Sequence, residues 1–105
     1  MQRPVLILWT SKDLPEARQI AQALLEARLI ACASIIPKVE SLFSWQGKIE
    51  SAEECKIFLK TDARYFEAVK EKILSRCSYE VPEILQIEIT GGNPAYLSWL
   101  QNELH

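Results

Sequence analysis

A chain of 105 residues, 49% apolar and 25% charged, has the size and composition of one globular domain with a single two-layer core, and excludes a disordered segment. Its net charge is −2 and its basic residues are interspersed with acids, which leaves no electrostatic footprint for nucleic acid or an anionic membrane. The longest apolar stretch, around Leu29 to Ile36, falls far short of the ~20 residues of a transmembrane helix.

In chain order, Val5 to Thr10 is a short apolar run suited to a buried strand. It is too short, and too soon followed by Lys12 and Asp13, for a secretory leader, so a cytoplasmic protein is expected. Asp13-Leu14-Pro15-Glu16 opens a helix, with Asp13 as cap, Pro15 in the first turn and Glu16 at the capping-box position. Leu14, Ala17, Ile20, Ala21, Leu24 and Leu25 form its apolar face, which ends near Arg28. Leu29 to Ile36 reads as the next strand, closed by Pro37. Val39–Trp45 and Lys48–Lys60 read as the arms of a long hairpin turning at Gln46-Gly47. Asp62 caps a second helix with Phe66, Val69 and Ile73 on one side. Leu85–Ile89 is the last strand. After Gly91-Gly92, Asn93 caps and Pro94 starts a short final helix carrying Tyr96, Leu97, Trp99 and Leu100.

Strand, helix, strand, strand, helix, strand and a terminal helix make a split βαβ arrangement over residues 1–105. The predicted fold is therefore α+β and ferredoxin-like: a four-stranded antiparallel sheet with two helices on one face and a long hairpin between the second and third strands. Ile35, Leu42, Phe43, Trp45 and Ile49 then supply more apolar surface than the helices can cover, which predicts self-association.

Cys77-Ser78-Tyr79-Glu80-Val81-Pro82-Glu83-Ile84 gathers a thiol, a phenol and carboxylates just before the last strand. Pro82 delays regular pairing, so Cys77, Tyr79 and Glu80 lie on a shaped approach segment where side chains can converge on a ligand. The plainer alternative is that Tyr79 covers the sheet edge and Pro82 marks where the strand starts. Cys32, Cys55 and Cys77 match no metal or redox spacing, and free cysteines are commonly buried.

Five blocks together resemble a known family: Ala31-Cys32-Ala33-Ser34-Ile35-Ile36-Pro37, Ser44-Trp45-Gln46-Gly47-Lys48-Ile49-Glu50, Leu59-Lys60-Thr61, Tyr79-Glu80-Val81-Pro82-Glu83-Ile84, and Gly92-Asn93-Pro94-Ala95-Tyr96-Leu97-Ser98-Trp99-Leu100. In order and spacing they resemble the CutA divalent-cation tolerance proteins over nearly the whole chain. The resemblance implies a ferredoxin-like fold, homotrimers built by strand pairing between subunits, and tolerance to copper and other divalent cations. It also implies an assembly like that of the PII signalling proteins, whose ligands sit in clefts between subunits. Two positions depart from the family pattern: Cys77 stands where its histidine usually does, and Gln46 replaces the usual glutamate of the hairpin turn. A thiolate suits Cu(I) better than Cu(II), so the oxidation state of any bound copper is left open.

The metal candidates are Cys32, Cys77 and Glu80, which are distant in sequence and need the fold or a neighbouring subunit to meet. Cys32 has the alternative role of a small buried strand residue, and Cys77 that of ending the second helix. Trp45, Lys60, Tyr79 and Glu80 are candidates for binding a small anionic ligand at a subunit boundary. Trp45 has an interface role as its alternative, and Lys60 that of a strand-end solubiliser. His105 is the only histidine and is expected to be disordered, so no Ser-His or Cys-His nucleophile is available within a subunit. No Gly-rich phosphate loop occurs either, which argues against an enzyme. The expected function is divalent-cation binding and tolerance by a trimer; the alternative is a PII-like sensor of a small metabolite. On this reading the trimer is obligate, and Trp45→Asp abolishes the folded state.

Overall fold

The computed structural model describes residues 1–105: β1 (Pro4–Ser11), α1 (Leu14–Glu26), β2 (Cys32–Trp45), β3 (Lys48–Asp62), a 3-10 turn (Ala63–Tyr65), α2 (Phe66–Arg76), β4 (Ile84–Glu88) and α3 (Pro94–Glu103). The four strands form one antiparallel sheet in the order β2-β3-β1-β4, the predicted fold class. Alternation along the strands sends Val5, Ile7 and Trp9 of β1, with Cys55, Ile57 and Leu59 of β3, to one face. There they pack against Ala17, Ile20 and Leu24 of α1 and Val69 and Ile73 of α2.

Pro37 does not close a strand. β2 continues through it, and the pairing shifts from Ile36↔Lys56 to Val39↔Glu54, so β2 holds one residue more than β3 across the step. β2 is an edge strand, where a proline without an N–H breaks no ladder on its free side, and Lys38 absorbs the kink at φ 56°. The bulge switches parity. Before it Cys32, Ser34 and Ile36 share the face of Lys56 and Lys60; after it Val39, Ser41, Phe43 and Trp45 do. Gln46 and Gly47, both at positive φ (50° and 79°), make the two-residue hairpin turn.

The face away from the helices carries Leu6, Leu8, Ile36, Phe58, Leu85 and Ile87, half-buried or exposed. A bare apolar face was expected, but its membership differs. Ile35 packs against the core instead, because it pairs with Ile57 on the helix side. The alternating residues of β4 turn outward for the same reason of register.

Three local expectations also change. Asp13 caps α1 by accepting from the Glu16 N–H at 3.0 Å, but Glu16 does not reach back to close the box. Asp62 caps the 3-10 turn ahead of α2, not α2 itself, and is fully buried. His105 is tied down: its N–H donates to the Arg28 carbonyl at 2.9 Å, and its carbonyl accepts from the Tyr65 hydroxyl.

Candidate functional site

The hairpin arms, the sheet face beside them and the segment 77–83 enclose an open groove of about 950 Å3. Its walls combine Val39, Phe43, Trp45 and Val81 with Thr10, Glu54, Lys56, Tyr79, Glu80 and Glu83. The bulge brings Phe43 and Trp45 to this side; with the unbroken register Leu42 and Ser44 would stand there.

Segment 77–83 has no helix or strand of its own and is fixed by side chains. The Glu16 carboxylate accepts from the Ser78 N–H at 2.9 Å and the Ser11 hydroxyl at 2.7 Å. Burial pushes Glu16 up, but these hydrogen bonds outweigh it and hold the carboxyl below its ordinary range. The Tyr79 hydroxyl donates to Glu54 at 2.7 Å; burial, then that bond and the Glu54 charge, push the phenol well above its usual value. Tyr79 is therefore a neutral donor across the physiological range.

At the far end Glu83 accepts from the Thr10 hydroxyl at 2.7 Å and the Lys56 ammonium at 3.0 Å, while Lys56 also donates to Thr10 at 2.9 Å. Burial pushes Glu83 up, and the Thr10 and Lys56 bonds more than reverse this. Glu16, Glu54, Thr10 and Lys56 were not singled out as site residues in the sequence. The signal for Lys56 was the alternation Cys55, Ile57, Leu59, which places Lys56 and Lys60 on the opposite face.

The sequence candidates are distributed unevenly. Trp45, Tyr79 and Glu80 line the groove together. Lys60 does not: Trp45 pairs with Lys48 at the hairpin tip, and Lys48 to Lys60 spans most of β3, roughly 40 Å at a strand's ~3.3 Å per residue. Lys60 sits with Cys32 and Ser34, donating to Sγ at 3.6 Å and to the Ser34 hydroxyl at 3.0 Å. Cys77 ends α2 and packs half-buried on the core, its thiol donating to the Tyr79 carbonyl at 3.4 Å. Burial pushes that thiol up, the bond to Tyr79 opposes this and the Glu16 charge adds to it, with a net rise that disfavours the thiolate.

A metal does not fit the donors of one chain. No three His, Cys, Asp or Glu side chains are grouped as a cation would require. Cys32 has an ammonium beside its sulfur, and a positive neighbour opposes a second cation there.

Comparison with known proteins agrees with the fold and extends it. The family described as CutA1 divalent ion tolerance protein matches residues 5–103. The divalent-cation tolerance protein CutA of Thermus thermophilus is 40% identical over 101 residues, covering 96% of each chain. The crystal structure of CutA1 from Oryza sativa superposes with a TM-score of 0.94 at 29% identity, over 98% of this chain and 94% of that one. A structure from Archaeoglobus fulgidus, described as a periplasmic divalent cation tolerance protein CutA, gives 0.93 at 36% identity over 97% and 99%. No helix here is long and apolar enough to cross a membrane. The chain belongs to the CutA1 divalent ion tolerance family.

Proposed function

We propose that this protein acts in divalent-cation tolerance as a cytoplasmic homotrimer that binds its ligand in clefts between subunits, without catalysing a reaction. The observation that carries this reading is the separation of the candidate binding residues. Trp45, Tyr79 and Glu80 lie along the groove, whereas Lys60 and Cys32 lie at the other end of the same sheet. One pocket holds both groups only if different subunits supply them. The bare face of Leu6, Leu8, Phe58, Leu85 and Ile87 supports such an assembly, since a monomer gains nothing by exposing it. Cys32, Cys77 and Glu80 are the proposed cation donors, with copper as the first cation to test. A thiol-containing set favours the soft Cu(I).

The second reading is a trimer that senses a small anionic metabolite. The aromatic wall at Phe43 and Trp45 along a groove of this size favours it. Titration calorimetry of the assembled protein with Cu(I), Cu(II), Zn(II) and a panel of carboxylate and phosphate metabolites separates the two. Tight copper binding lost in Cys32→Ser supports the first reading. A site selective for one metabolite, with metals silent, supports the second. A monomer by sedimentation at micromolar concentration excludes both.

A further inference from the structure

The last helix is attached to the rest of the molecule differently from α1 and α2. Leu100 and Leu104 join Ala31 in a cluster of three buried residues, separate from the twelve-residue core, with half-buried Tyr65 alongside. Residues 89–93 leading into α3 have no regular structure. Most of α3 ahead of Leu100 is exposed, and the rings of Tyr96 and Trp99 pack on each other with centroids 5.4 Å apart. Its hold on the body comes from the second half, where buried Leu100 and Leu104 are joined by a set of polar bonds.

The Arg28 side chain makes three of those polar bonds. Its Nε donates to the Glu103 carbonyl at 3.2 Å, and its Nη2 to the carbonyls of Asn102 at 3.2 Å and Leu104 at 3.0 Å. These carbonyls at the end of α3 have no partner within the helix, and a guanidinium there also complements the negative end of the helix dipole. Gln101 adds a bond to Asp62 at 2.9 Å and accepts one from Arg64 at 3.2 Å.

The backbone of Arg28 is itself unusual. At φ 57° it is left-handed, and it closes α1: its N–H bonds the Leu25 carbonyl at 3.0 Å and the Leu29 N–H bonds the Leu24 carbonyl at 3.1 Å. Glycine is the ordinary residue at that position of this motif. The residue in a disfavoured backbone state at the end of α1 is thus the one whose side chain closes α3.

We propose that α3 is a strap that detaches by local unfolding while the sheet, α1 and α2 stay folded, and that Arg28 is its clasp. Release uncovers the Leu100 and Leu104 contacts and frees the Tyr65 hydroxyl to water, but it leaves the buried polar groups of the body paired. Asp62 gives up the Gln101 amide but keeps the Arg3 N–H at 2.6 Å, the Arg64 N–H at 3.0 Å and the Arg64 guanidinium at 3.3 Å, so no buried charge is stranded. Tyr65 keeps the Arg64 guanidinium over its ring. What opens is the surface of Ala31 and Tyr65 beneath the strap.

Hydrogen exchange of the assembled protein in low denaturant tests this. Amides of residues 97–104 should exchange at a lower opening free energy, and with a shallower denaturant slope, than those of β1 and β3. Arg28→Ala should speed exchange in α3 by about tenfold or more, the scale of lost charged hydrogen bonds, and leave β1 and β3 unchanged. Arg28→Gly should speed α3 equally while sparing the end of α1, because glycine accepts the left-handed backbone. Exchange of α3 only together with β1 and β3 overturns the strap. Unchanged α3 protection in both variants, or equal acceleration everywhere, overturns the clasp.

Discussion

Along β3 the same alternating strand passes through two environments. From Cys55 to Asp62 every second side chain is sealed under α1 and α2, with Ile57 and Leu59 fully buried. From Lys48 to Glu54 the strand runs beyond the helices, and apolar side chains of the hairpin stand in solvent, Ile49 at 82% and Leu42 at 71% exposure. The strand geometry is equivalent in both parts; what differs is whether a second layer lies above it. One end of the sheet is thus a finished domain, and the other leaves its apolar side chains uncovered.

The largest effects break this comparison most directly. Leu59→Ala removes a fully buried side chain from the finished end and should cost ~2–5 kcal/mol in urea unfolding. Trp45→Asp alters a half-exposed side chain at the hairpin tip that takes no part in the twelve-residue core. In place of the loss of fold expected from the sequence, it should keep the helix and sheet content seen by circular dichroism while sedimentation shows association lost. Loss of secondary structure in both variants would mean that the two regions fold as one.

Asp62 sharpens the finished end. Burial pushes its carboxyl up, but the Arg64 N–H, the Gln101 amide, the Arg3 N–H and the Arg64 charge together hold it below its ordinary value. Its folded pKa is therefore lower than its unfolded one, and the unfolded chain binds more protons as the pH falls through that range. Stability from this group is complete above the unfolded value, near ~4, and is lost as the pH drops through the folded one. Asp62→Asn should cost on the order of 2 kcal/mol at neutral pH and flatten the acid limb of urea midpoints measured between about pH 6 and pH 3. An unchanged acid limb would remove Asp62 from that role.

Tyr79→Phe tests the segment that borders the unfinished end. It deletes the hydroxyl bond to Glu54 and should cost ~1 kcal/mol, with faster exchange confined to residues around 77–83. Gly47→Ala should have the smallest effect, roughly 1 kcal/mol or less. It places a Cβ at φ 79° in a turn where nothing else is near, so only the backbone objects. Nuclear magnetic resonance shifts should change at the hairpin tip alone.

The element order, the Asp13 and Asn93 caps, the hairpin turn and the helix-facing residues of α1 were legible in the residues themselves. Each depends on neighbours two to four positions apart, so the sequence states them directly. The family blocks were likewise legible because they are contiguous. The bulge at Pro37 was not, since a proline signals a strand end or an edge strand equally well, and only the partner strand distinguishes them. Nor were the contacts of Glu16 with Ser78, Glu54 with Tyr79, Glu83 with Lys56, and Arg28 with the end of α3. These join residues between 25 and 76 positions apart, and their partners are chosen by strand register and helix docking. Residue pattern alone marked the helix-facing core and three groove residues, Trp45, Tyr79 and Glu80. Tertiary structure alone decided which of them meet, because one residue of register turns a side chain from one face of the sheet to the other.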